Sequence, residues 1–363
     1  MNSLTIIDQT RPDQTRPDQT RPDQTRPDQT RPDQTRPDHP IVRNSSLELL
    51  RIAGMLSIVA FHLSLHGGFD FSASAITANM LWYRFMSMGG GLGNCLFVMI
   101  SGYFLINSSG FRVIKAFSLW ARAFFFSVTI FCVFAAFGLA DFSRSSLLKA
   151  AMPMTTRQWW FVRTYLALYI LHPFLNVFLL SMSRRCYQAF LGVAFLVFSV
   201  FDWELPTGGG VLRFMYQYSV AAYVRLYCES VRGRKYIFIG IFFIALNYAR
   251  SIIFPEAGHF LANAKPLTIA ASVCLLIGFR SLNVSSRVIN KIASATLGVY
   301  LLHENQWMSK FLWRDVFRVS SFQDSGYFVP YTVFAVITVY VLCTVAEFAR
   351  SKVFRTLSGG RLS

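Results

Sequence analysis

Charge is scarce in this sequence. Asp, Glu, Lys and Arg together make up 15% of its residues, against about 25% in a soluble domain. The shortage excludes an ordinary solvated surface. Long polar loops are missing too, so no stretch between the apolar runs can build a soluble domain. The six cysteines (Cys95, Cys132, Cys186, Cys228, Cys274 and Cys343) form no CxxC pair, and most lie in apolar runs. They read as small buried hydrophobes, and neither a disulfide nor a metal site is expected. What the chain does hold is apolar: 53% hydrophobic residues, with 36 Phe and 15 Tyr. These come in runs of about 20, the length that crosses a bilayer core of about 30 Å. The net charge of +17 is concentrated in short loops and tails. It therefore fits positive-inside membrane topology, with lipid as the partner and no nucleic acid.

The amino-terminal stretch is different. Residues 8–37 are six copies of Asp-Gln-Thr-Arg-Pro. A proline at every fifth position forbids a helix, and nothing apolar other than proline is available to bury. We expect residues 1–42 to be a disordered tail without the apolar core of a cleavable signal. The DNA pentamer ACCAG in tandem reads ACC-AGA-CCA-GAC-CAG, or Thr-Arg-Pro-Asp-Gln. One pentanucleotide thus encodes the whole peptide repeat, the pattern of a slippage-prone tract whose gain or loss of a unit switches expression off. Mixed synonymous codons across the six copies would remove that idea.

After the tail, the pattern predicts an all-α polytopic membrane protein in one domain, residues 43–350, followed by a basic cytoplasmic tail at 351–363. Ten spans are expected at about 46–66, 85–106, 117–140, 159–181, 187–203, 209–227, 236–254, 266–282, 288–306 and 328–348. The cations Arg112, Lys115, Arg184, Arg185, Arg232, Arg234, Lys235, Arg287, Lys291, Arg350, Lys352, Arg355 and Arg361 assign one set of loops and both termini to the cytoplasm. The opposite loops carry most of the acids, including Asp70, Asp141, Asp315 and Asp324. Gly89, Gly90, Gly91 and Gly93 lie in an apolar run with no strand before them. Close helix packing explains them better than a phosphate loop.

Ionisable groups inside a span cost at least about 2.5 kcal/mol at the bilayer centre, so they are functional candidates by default. The first span holds Glu48, Arg51 and His62. Arg51 and His62 are eleven residues apart, close to three helical turns, so they share one face about 16 Å apart along the axis. Glu48 is placed to pair with Arg51. This column suits a reaction that joins an anionic donor at one mouth to an acceptor nearer the other, with the imidazole taking a proton from the acceptor. It equally suits a structural ion pair and a helix-to-helix hydrogen bond. His66, one turn beyond His62, is a rival base.

The column and its neighbours carry a resemblance. Glu48-x-x-Arg51 followed by His62 resembles the first-helix signature of acyltransferase family three, the membrane enzymes that acylate bacterial surface sugars. Phe97-Val-Met-Ile-Ser-Gly-Tyr103 is similar to that family's Phe-Phe-Val-x-Ser-Gly-Phe segment. Arg112-x-x-Lys115 stands where the family often has Arg-x-x-Arg. The change keeps both charges and loses one guanidinium fork. Trp159-Trp-Phe and Tyr169 to Pro173, and Ser294-Ala-Thr-Leu-Gly-Val-Tyr-Leu-Leu-His303, resemble two further helices of the family. The resemblance spans about residues 43–348. It implies a multi-pass O-acetyltransferase of the bacterial inner membrane. The implied donor is acetyl-CoA, with no metal, and the implied acceptor is a hydroxyl of O-antigen, lipopolysaccharide or capsule. His62 would be catalytic, with Arg51 and Glu48 beside it. Arg112 and Lys115 would bind the acyl-CoA, and Trp159, Trp160, Tyr169 and His303 would line the substrate path. A non-enzymatic flippase or exporter of a lipid-linked glycan would also need ten spans and buried charges. It leaves the ordered motifs without a reason.

Overall fold

A computed structural model describes residues 44–71, 76–108, 110–156, 158–201, 209–254 and 264–357. The Asp-Gln-Thr-Arg-Pro repeats lie outside these residues, as do Asp202, Glu204, Glu256 and the last six positions. Every described residue belongs to one unit, Arg43–Ser363, and the described residues contain no strand.

In chain order the helices are α1 (Ser45–His66), α2 (Ala78–Ser87), α3 (Gly89–Leu105), α4 (Val113–Ala136), α5 (Arg144–Ala151), α6 (Trp160–Leu180) and α7 (Arg184–Phe195). They continue with α8 (Gly209–Tyr227), α9 (Lys235–Ile253), α10 (Pro266–Arg280), α11 (Arg287–Ser294), α12 (Thr296–His303), the single turn α13 (Met308–Lys310) and α14 (Phe328–Leu357). Ten spans are expected from the sequence; at four of those positions the described residues form α7, α8, α10 and the pair α11–α12, which are shorter or less apolar than a full span. Among the described residues six stretches are long and apolar enough to cross a membrane: α1, α2 continued by α3, α4, α6, α9 and most of α14. Large apolar side chains such as Phe174, Val177, Phe242 and Phe334 stand exposed on these helices. That surface suits lipid and would be a liability in water. The chain is a multi-pass membrane protein.

Several boundaries differ from those expected. The second span starts at Ala78, about two turns before residue 85, because Thr77 caps it by accepting a bond from the Met80 amide. The third runs Val113–Ala136 and so begins about one turn early. The ninth is broken at Ala295 into two eight-residue helices. The last continues to Leu357, which puts Arg350 inside a helix and makes residues 351–357 its final turns.

α1 is the centre of the bundle and packs against α2, α3, α10, α11, α12 and α14. Its start is fastened twice. The Asn44 side chain accepts bonds from the Ser46 and Leu47 amides. The Ser46 hydroxyl donates to the Leu282 carbonyl at 2.7 Å. Asn44→Ala is expected to cost about 1 kcal/mol through the lost cap, read as a lower thermal midpoint in detergent; an unchanged midpoint would show the cap idle. Glycine sets the α1–α3 crossing. A Cβ at Gly89 would lie 2.1 Å from the Ser57 carbonyl oxygen, and one at Gly93 2.5 Å from the Gly54 oxygen. The glycine run is therefore a close-packing device, as its setting in an apolar run implied.

Candidate active site

α1 carries its ionisable column into the bundle interior. Near its start, Arg51 donates to Glu48 Oε2 at 2.6 Å, and Glu48 is buried. Both line a cavity of about 390 Å³ together with Met55, Ile58, Arg122 and Tyr300. Ile58 is one turn short of His62 on the same helix face. The Tyr300 ring stands 6.0 Å from the His62 ring. The cavity thus runs from the ion pair to the wall of aromatic and aliphatic side chains beneath the imidazole.

His62 is 5% exposed. Its Nδ1 is 2.8 Å from His303 Nε2 and 3.3 Å from Glu304 Oε2. His303 is fully buried, and its Nδ1 is 2.6 Å from the Val299 carbonyl oxygen. A carbonyl can only accept, so His303 Nδ1 carries a proton. In the neutral ring its Nε2 then accepts. The proton between the two rings therefore belongs to His62 Nδ1, which leaves His62 Nε2 with a lone pair. This is the tautomer a general base needs. Glu304 also lies 3.1 and 3.2 Å from His66 Nε2. Its carboxylate stands between the two α1 imidazoles and can compensate a positive charge that forms on His62. The side chains of His66 and Glu304 are each just under one-fifth exposed, so the site opens beyond His62, on the side away from the cavity.

His62, His303 and Glu304 offer ligand atoms within 4.8 Å of one another. Two imidazoles and a carboxylate can hold a divalent cation. His303 already makes the outer bond to a carbonyl that metal-bound histidines make. A cation there would have to displace the proton shared by the two rings.

The other expected site residues scatter. Arg112 and Lys115 are exposed at the start of α4 and do not line this cavity. The Arg112 amide donates to the Tyr169 hydroxyl at 3.1 Å, so Tyr169 fixes that loop. Trp159 is buried in the core, whereas Trp160 is 44% exposed. His172 lies next to Pro173 and is 2.5 Å from the Tyr169 carbonyl, which the proline cannot satisfy. It is a helix repair. Glu304 was missed in the sequence, although an acid directly after the late histidine was its visible signal. Arg122, an arginine inside an apolar run, was also passed over, as was Glu347, which Arg350 grips by two bonds of 2.6 and 2.7 Å.

A family model described as an acyltransferase domain, that of acyltransferase family 3, matches residues 44–347. The chain belongs to this family. The match begins at the cap of α1 and ends within α14, so it takes in the whole bundle and both walls of the histidine site. The family that the motifs resemble is thus the one the chain belongs to, over nearly the span expected from them. No curated protein and no solved structure matches the chain.

Proposed function

We propose that this protein transfers an acetyl group from acetyl-CoA to a hydroxyl of a bacterial surface polysaccharide: O-antigen, lipopolysaccharide or capsule. The observation that carries this reading is the cavity from the Glu48–Arg51 pair to Tyr300, ending beneath His62, which His303 and Glu304 hold in a base-ready tautomer. Acetyl-CoA is cytoplasmic and polyanionic, so the basic end of α1 faces the cytoplasm in this proposal. Both termini lie on that side, and ten segments cross the inner membrane. The acceptor reaches His62 from the opposite side, past His66 and Glu304.

The acceptor oxygen attacks the thioester carbonyl carbon as His62 Nε2 takes the hydroxyl proton. The new C–O bond forms and the C–S bond breaks. The leaving thiolate then recovers the proton from His62 and departs as free CoA. Glu304 faces the imidazolium formed between these steps. The pentapeptide repeat supports a further part of the proposal, on/off expression through a pentanucleotide tract, which suits modification of a surface antigen.

Glycan purified from cells with and without the gene tests the reading. Base-labile, ester-linked acetyl is expected only when the gene is on. Unmodified glycan held inside cells that lack the gene would favour the flippase instead.

A further inference from the structure

A second cavity, of about 480 Å³, opens at the end of the bundle where α4 begins and α14 ends. Its walls include Ile114 and Phe117 of α4 and Glu347, Arg350 and Arg355 of α14. Arg122 and Ser294 line both this cavity and the one below His62. The two spaces are therefore neighbours, with Arg122 and Ser294 between them. Among the residues lining both, the acids are Glu48 and Glu347, and each is already gripped by an arginine of its own helix.

The arginines of the junction are not equivalent. Arg350 closes both oxygens of Glu347 and lies over the rings of Phe126 and Phe354, at 5.8 and 5.2 Å. It is fixed. Arg122 is 3.7 Å from Glu347, beyond hydrogen-bond reach, and its side chain is 33% exposed. Among the described residues its guanidinium makes no hydrogen bond. A cation whose counter-charge is already satisfied, and whose fork faces a cavity, is built to take an anion. Arg112 and Lys115 line neither space.

We propose that Arg122 anchors the phosphates of the acyl donor, with the Glu347–Arg350 pair positioning it. Arg112 and Lys115 then act before binding, attracting the anion to the mouth. This inference rests on the donor reading above. It places the phosphates in the outer cavity and threads the pantetheine arm past Arg122 toward Tyr300. Gly298 lets α12 pack directly on Glu347 and so helps to fix the pair, because a Cβ there would lie 2.6 Å from the Glu347 carboxylate.

Calorimetry on the full chain in nanodiscs tests this, with CoA and with pantetheine, which has no phosphate. Wild type should bind CoA more tightly than pantetheine. Arg122→Gln should weaken CoA at least about tenfold and leave pantetheine unchanged. Arg122→Lys keeps the charge without the fork and should fall between. Removing Arg122 leaves a neutral Glu347–Arg350 pair behind, so folding should survive; a thermal scan of both variants checks it. If wild type binds CoA and both variants bind it equally well, the anchor is overturned and the donor reading stands. If wild type binds no CoA, the donor reading falls and the anchor with it.

Discussion

His62→Ala is expected to lower acetyl transfer by at least about 100-fold, the lower bound for a positioned general base. The loss should fall on kcat. His62 does not line the donor cavity, so the KM for acetyl-CoA should stay within a few fold. Glu304→Gln keeps the shape of the side chain and removes its charge. It should cost about 10-fold, the worth of one hydrogen bond to a charged group. Alanine at His62 also deletes the ring that His303 meets, so a purely structural role would appear first as a lower thermal midpoint and less folded protein. The catalytic reading requires the rate to fall in protein whose midpoint is preserved. Rates within about threefold of wild type in folded His62→Ala would end it.

Much of this site was legible because it lies on one helix. Eleven residues at 3.6 per turn put Arg51 and His62 on one face, and Glu48 was within reach of Arg51. The structure adds the partner that no spacing shows. His303 meets His62 across 241 positions of sequence, through the packing of α12 on α1. Glu304 was hidden for a related reason. An acid at the end of a short apolar helix reads as an interfacial charge until the fold turns it toward two histidines. Arg122 and Glu347 lie in different spans, and each alone is a stray charge. Their shared cavity exists only once α4 and α14 are side by side. The span edge misread at α2 has a local cause. Hydropathy marks the apolar centre of a run, whereas a cap such as Thr77 sets where the helix begins. Arg84 in α2 lowered the local hydropathy, yet its guanidinium bonds the Ser251 carbonyl of α9, and the helix extends past it.

Gly89→Ala should be the most damaging single methyl group that can be added at this crossing. The new carbon would sit 2.1 Å from the Ser57 carbonyl oxygen, more than about 1 Å inside ordinary C···O contact. Both atoms belong to backbone or are fixed to it, so no rotamer change relieves the clash and α1 must part from α3. Overpacking of this kind costs about 1–3 kcal/mol. The cost in rate should be larger. Ser57 is five residues before His62, about 7.5 Å along α1. A shift of that helix by about 1 Å moves the imidazole against α12, and misplacement on that scale is worth about 100-fold in rate. Gly192 of α7 is the control, since a Cβ there meets nothing within 4 Å. Gly192→Ala should be neutral or stabilising by up to about 1 kcal/mol, the helix-propensity difference. Thermal unfolding and transfer assays on the two variants separate the cases. If Gly89→Ala melts and turns over like wild type, α1 and α3 are not held at this distance. The placement of His62 against His303 would then lose its physical basis.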